Sequence, residues 1–231
     1  MNSTRLSGHD VAAALAVVVI WGSNFVAMKF ALQDFTPFQL GAARYAFAVL
    51  PLVFFIKSPR LHWKWVLLYG LFQGVGQFGF LFSALKVGMT AALASVLMQT
   101  QAFFTALFGF VLLRERLSRQ LMIALALAAL GLLCFTIYFI ASEAHFTGAI
   151  GQNGFPTVSV ATFWGFVLNL CAAAMWAASN IVARKAQQAS PDFDAVAFVV
   201  WSSLVPIAPF CLMTWAFDAD AARWLSPSLV Q

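Results

Sequence analysis

Apolar runs long enough to cross a bilayer recur seven times along the chain, separated by short polar or charged clusters. They lie near residues 11–32, 38–56, 65–85, 89–113, 121–141, 161–183 and 195–217. A helix of about 20 apolar residues covers the ~30 Å hydrocarbon core, so each run predicts one membrane crossing. The first continues well past the 7–15 residues of a secretory leader and reads as a retained membrane helix. Breaks fall where the backbone chemistry requires them. Pro37 has a fixed φ and no amide donor, which favours a turn or a helix start. Lys86-Val87-Gly88 predicts a tight turn, and Pro191, Asp192 and Asp194 another. Pro206 and Pro209 each remove an internal hydrogen bond and are expected to bend the seventh crossing. The stretch 142–159, with Gly148, Gly151, Gly154 and Pro156, is the longest polar-leaning connection.

The chain also repeats itself. Ser23-Asn24-Phe25-Val26-Ala27-Met28-Lys29 returns as Ser179-Asn180-Ile181-Val182-Ala183-Arg184-Lys185, 156 positions further on, with a Trp ahead of each copy (Trp21, Trp176). Five of the seven positions are identical. The copies stand in the first and sixth crossings, so five helices separate them and the second copy runs the opposite way through the membrane. The expected architecture is an all-α polytopic membrane protein built as an inverted-repeat helical bundle, with a first repeat at residues 1–150 and a second at 151–231. Transporters of this design hold their substrate near the bilayer midplane, between the halves.

Composition agrees. Of 231 residues, 62% are hydrophobic and only 9% charged, against about 25% charged in a soluble domain. The net charge of +5 does not signal nucleic acid, because the basic residues sit in clusters between apolar runs. Arg5, Lys57, Arg60, Lys64, Arg114, Arg116, Arg119, Arg184 and Lys185 all fall on one side when crossings alternate, nine of the thirteen Lys and Arg. The positive-inside rule then places the N-terminus in the cytoplasm. Cys134, Cys171 and Cys211 lie in apolar runs without metal-ligand spacing and read as inert buried thiols. No metal or other cofactor is implied. An intramembrane enzyme would need a nucleophile and base inside the helices, and His9, His62 and His145 are expected in tails or loops.

Several motifs together resemble the EamA transporters of the drug/metabolite transporter superfamily. They are Trp21-Gly22-Ser23-Asn24-Phe25, Arg44, Gln77-Phe78 with Phe80-Leu81-Phe82, Gly88-Met89 with Ala91, Leu93-Ala94-Ser95, Gln99 with Gln101-Ala102-Phe103-Phe104-Thr105, and Glu115-Arg116-Leu117. Trp176, Asn180, Lys185 and Trp201-Ser202 with Leu204 and Pro206 extend the likeness over essentially the whole chain. The resemblance implies ten helices, five plus five inverted, of which about seven are present here. It also implies a secondary exporter rather than an enzyme, working on small amino-acid-type metabolites such as O-acetylserine and cysteine. Its other members export other amino acids, metabolites or drugs, and a transport-inactive fragment is the further alternative.

Polar side chains in hydrocarbon are costly unless partnered or facing a watery cavity, so they are the site candidates. Asn24 and Asn180 come first: each offers a donor and acceptors to a zwitterion, and pseudo-symmetry would set them face to face. Gln73 and Gln77 share one face of the third crossing, and Gln99 is expected to look into the same space. For all five amides the competing role is hydrogen-bonded glue between helices. Trp21 and Trp176 would wall a pocket or join an interfacial aromatic belt, as would Trp164. Arg44, two turns inside the second crossing, would attract a carboxylate or snorkel to the headgroups. Lys29 is expected to snorkel, and Glu115 to pair among Arg114, Arg116 and Arg119. Gly70-x-x-x-Gly74, Gly76 and Gly79 are expected to bring another helix close.

Overall fold

A computed structural model describes residues 7–147, 160–190 and 192–218 of the chain. Among these the regular structure is entirely helical, and it comprises α1 (Gly8–Asp34), α2 (Pro37–Val53), α3 (Trp63–Tyr69), α4 (Gly79–Lys86), α5 (Ala91–Leu97), α6 (Gln101–Leu113), α7 (Arg119–Thr147), α8 (Val160–Ala189), α9 (Ala195–Ser202) and α10 (Ile207–Phe217). A π-helical stretch, Gly70–Phe78, joins α3 to α4, and a 3-10 turn, Met98–Thr100, joins α5 to α6. Six continuous apolar spans result, at Gly8–Asp34, Trp63–Lys86, Ala91–Leu113, Arg119–Tyr138, Val160–Ala189 and Ala195–Phe217. The second predicted crossing, α2, has 17 residues, about 25 Å of helix and the lower limit for a crossing. The protein is thus an all-α polytopic membrane protein.

Local chemistry explains the helix starts. Thr36 accepts from the Gln39 amide while the Gln39 side chain accepts from the Thr36 amide, and Pro37 occupies the first helical position, where its missing donor costs nothing. Ser7 and Asp10 form the same reciprocal cap on α1. Asp194 accepts from the amides of Val196 and Ala197 to open α9. α7 continues to Thr147, so 142–147 belongs to a helix rather than to the expected polar connection, and His145 stands in that helix. His9 likewise lies in the first turn of α1. The repeat boundary near residue 150 lies outside the described residues.

Cross-chain hydrogen bonds show that successive crossings alternate. At one end Ser190 Oγ donates to the Arg60 carbonyl at 3.2 Å, Trp201 Nε1 to the Ile56 carbonyl at 3.1 Å, and Arg184 pairs with Glu115 at 3.0 Å. At the opposite end Thr36 Oγ1 donates to Asp218 Oδ2 at 2.5 Å. There Lys29 Nζ donates to the carbonyls of Leu85 at 2.8 Å and Met89 at 3.2 Å, and Lys86 Nζ returns a bond to the Leu32 carbonyl at 2.8 Å. α1 therefore runs from the first end to the second and α8 the reverse, so the two Ser-Asn copies are antiparallel.

Lys29 does not snorkel. Two helices that end side by side each leave unpaired carbonyls, and each lends the other a cation to satisfy them and to oppose its dipole. Replacing both Lys29 and Lys86 by methionine is expected to cost about 2 kcal/mol and lower Tm by about 5 °C, each single change roughly half as much. A thermal scan of purified protein checks this. An unchanged Tm in the double variant would show that water or lipid headgroups satisfy those carbonyls equally well.

α8 is the central element. It packs against the π-helical stretch, α4, α5, α6 and α3, and its inward face of Gly165, Ala172, Ala173, Ala177 and Ala186 is nearly free of side-chain bulk. In a bilayer, helices associate by close packing and interhelical hydrogen bonds rather than by hydrophobic exclusion, so small residues mark the contacts. The glycines of the third crossing serve this purpose as the spacing predicts. A Cβ on Gly76 would lie 2.7 Å from Met175 Cγ in α8, and Gly70 and Gly74 meet Ser202, Val205 and Pro206.

The crossing at Ala195–Phe217 is one apolar span with a disturbed turn at the expected prolines. α9 stops at Ser202 and α10 starts at Ile207. Between them the amides of Leu204 and Val205 donate to the carbonyls of Trp201 and Ser202, three residues back, while Pro206 has no amide to donate. Cys134 and Cys211 face outward and Cys171 is half-buried, all three free; the thiols are sheltered by the bilayer more than by the protein.

Candidate functional site

Arg44 sits seven residues, about two turns, past Pro37 in α2, deep in the apolar run. Its Nη1 donates to Asn24 Oδ1 of α1 at 3.1 Å, and its guanidinium carbon stands 4.2 Å over the ring of Phe78. Arg44 thus turns into the bundle instead of reaching for the headgroups. A cation over an aromatic face is attracted by the ring quadrupole, an effect that strengthens when both are out of water.

The π-helical stretch supplies the adjoining wall. Its wider turn weakens the backbone ladder and commonly marks functional segments of helices. Here the Gln73 carbonyl accepts from the Tyr45 hydroxyl at 3.4 Å, and Gln73 Oε1 accepts from Ser179 Oγ of α8 at 2.5 Å. Gln77, one step along the same face, is buried, and its Oε1 has no hydrogen-bond partner. Burying an amide oxygen unpaired costs a few kcal/mol.

Trp21 of α1 and Trp176 of α8 close the space from the other side. Their rings stack with centroids 5.3 Å apart and planes 19° from parallel. The cavity between them is about 330 Å³, partly open, and is bordered by Trp21, Asn24, Arg44, Tyr45, Tyr69, Gln73, Gln77, Phe78, Trp176 and Ser203, among others. Its residues come from α1, α2, the third crossing, α8, α9 and the turn after it. Arg44 is the one formal charge on that wall, and among the described residues no Asp or Glu borders it. Nothing here resembles a nucleophile and base, and no group of His, Cys, Asp and Glu able to hold a metal occurs among the described residues.

Six of the eight residues singled out from sequence therefore meet in one place: Trp21, Asn24, Arg44, Gln73, Gln77 and Trp176. The other two do not. Asn180 is turned to α6, where Nδ2 donates to Gln101 Oε1 at 3.3 Å and Thr105 Oγ1 at 3.4 Å, so the two asparagines do not face each other. Gln99 is exposed, on the same outward side as Ala92 two turns before it, and so faces away from the bundle. Trp164 is about half-exposed and packs edge-on against Phe163 at 5.7 Å, away from the cavity. Glu115 pairs with Arg184 of α8, through both oxygens at 3.1 and 3.0 Å, rather than within its own arginine cluster. Sequence reasoning passed over Tyr45, Tyr69, Phe78 and Ser203; a polar Arg44-Tyr45 pair inside an apolar run was the signal for the first.

The family model of EamA-like transporters matches residues 10–137, more than half of the chain. The chain belongs to the EamA-like transporter family. Curated EamA-type relatives agree. A probable amino-acid metabolite efflux pump of Salmonella typhimurium is 40% identical over 226 residues, 97% of this chain and 69% of the relative. A probable amino-acid metabolite efflux pump of Escherichia coli is 35% identical over 216 residues, covering 94% and 67%. An uncharacterised transporter of Bacillus subtilis is 22% identical over 220 residues, covering 91% and 68%. No solved structure matches this EamA chain. The matched segment 10–137 contains Trp21, Asn24, Arg44, Gln73 and Gln77, so most of the cavity wall belongs to the recognised EamA unit.

Proposed function

We propose that this EamA transporter exports small amino-acid-type metabolites, O-acetylserine and cysteine first among them, across the bacterial inner membrane. The carrying observation is the mid-bundle cavity, walled on one side by helices of residues 1–150 and on the other by α8 and α9 of 151–231. We read those segments as two inverted repeats that rock about the cavity and open it to one side at a time. A volume of about 330 Å³ suits a single small solute, and stacked tryptophans with amide side chains suit a molecule carrying both apolar and polar parts. The relatives, named as probable amino-acid metabolite efflux pumps, support the substrate class, and the clustering of Lys and Arg supports a cytoplasmic N-terminus.

The test is export of radiolabelled O-acetylserine and cysteine from cells expressing this chain, beside an empty vector and a form extended to the ten helices the family resemblance implies. Faster efflux of either solute than the vector allows, from the chain or the extended form at equal membrane abundance, is the expected result. If both forms insert and neither moves either solute, the substrate assignment fails.

A further inference from the structure

We propose that this cavity recognises its substrate through the carboxylate, with Arg44 as the anchor, and that the Asn24 amide oxygen is the placeholder the carboxylate displaces. The inference rests on the transport reading for its setting and adds to it the chemical group that any bound solute must carry.

Two observations converge. The first is an uncompensated charge. A guanidinium has five N–H donors, yet in the structure Arg44 has one neutral acceptor, Asn24 Oδ1 at 3.1 Å, and the face of Phe78. No carboxylate lies within ion-pairing distance of it among the described residues, where the ion pair found is Arg184–Glu115. Arg44 is half-buried on the cavity wall, and a carboxylate brings two oxygens matched to the guanidinium fork.

The second is the character of the partner now in place. Asn24 Oδ1 is a carbonyl oxygen at the position that one oxygen of a carboxylate would take, and its Nδ2 is only 3.9 Å from Met28 Sδ, a weak attachment. Swinging this side chain aside therefore costs little. On the same wall the side-chain oxygen of Gln77 is buried without a partner. Because the wall carries one positive charge and no negative one, an amine lacking a carboxylate meets repulsion with nothing to offset it.

This makes Asn24→Asp the decisive variant: it builds a carboxylate into the chain beside Arg44, and that internal anion fills the site. The measurement is calorimetric titration of the purified protein with three isosteric probes: S-methyl-L-cysteine, 3-(methylthio)propanoate and 2-(methylthio)ethylamine. The amino acid and the propanoate are expected to bind, and the amine about thirtyfold more weakly or not at all. Asn24→Asp and Arg44→Gln should each weaken both carboxylates about thirtyfold. Equal affinity for the amine, no binding of the propanoate, or undiminished binding by Asn24→Asp overturns the proposal. If the variants fail to elute as monodisperse species, the three probes on the unaltered protein decide alone. Propanoate binding without export of O-acetylserine or cysteine would keep the carboxylate anchor and remove the amino-acid assignment.

Discussion

Gly74→Leu is expected to abolish the folded bundle, while Gly131→Leu leaves it intact. A Cβ on Gly74 would fall inside the van der Waals envelope of the Pro206 ring, and the neighbouring Gly70 is pressed against the Ser202 carbonyl and Val205 in the same way. Neither obstacle is the far end of a flexible side chain. Pro206 is locked by its own ring, and the Ser202 carbonyl belongs to the turn that connects α9 to α10, so the third and seventh crossings would have to separate. Overpacking a well-filled core costs about 1–3 kcal/mol and occasionally more. A whole leucine driven into backbone and proline belongs at the upper extreme. Gly131 in α7 is the control because its Cβ would meet nothing within 4 Å. Size-exclusion profiles and thermal scans of the two variants check this. A monodisperse Gly74→Leu protein with the parent Tm would mean that the third and seventh crossings are not packed as described.

The crossings were legible because a bilayer leaves the chain few choices: backbone groups must bond within their own segment, so every apolar run of sufficient length becomes a helix. Orientation of one crossing against the next followed from parity. What the sequence hid was rotation. Gln99 looked equivalent to Gln73 and Gln77, yet it lies on the outward side with Ala92, and an apolar run without a polar stripe does not say which side meets the neighbouring helices. The Ser-Asn echo misled for a related reason. α1 lies at the edge of the bundle and α8 at its centre, so Ser23 bonds its own backbone at Val19 while Ser179 is buried on Gln73, and Asn24 and Asn180 join separate networks. Identical residues in antiparallel copies acquire the same role only if their neighbours are equivalent. Lys29 shows the converse. A charge near a helix end reads as snorkelling, and only the adjacency of the α4 C-terminus reveals that it bonds protein carbonyls.

Replacing both Trp21 and Trp176 by alanine is expected to reduce efflux to the vector level, with each single change lowering it about tenfold and phenylalanine at either position retaining most of it. The stacked pair, one ring from α1 and one from α8, closes the cavity with 5.3 Å between centroids. Such a contact contributes about 0.5–1.5 kcal/mol beyond the area it buries. Under the proposed transport, a solute held between Arg44 and the tryptophans would be shielded from lipid and water, and the pair would draw the two walls together once the solute left. Removing one ring takes away the stacking and part of the solute's apolar contact, at ~25 cal/mol per Å², which together amount to about one decade in rate. Removing both takes away the rings that border the cavity on that side, so under the proposed alternating access the occluded state would be lost. Trp21 is about half-exposed, which limits the cost to folding. Efflux normalised to membrane abundance, together with the Tm of each variant, separates loss of transport from loss of protein. Undiminished efflux in the double variant at normal abundance would show that the rings are belt residues and that the closure lies elsewhere.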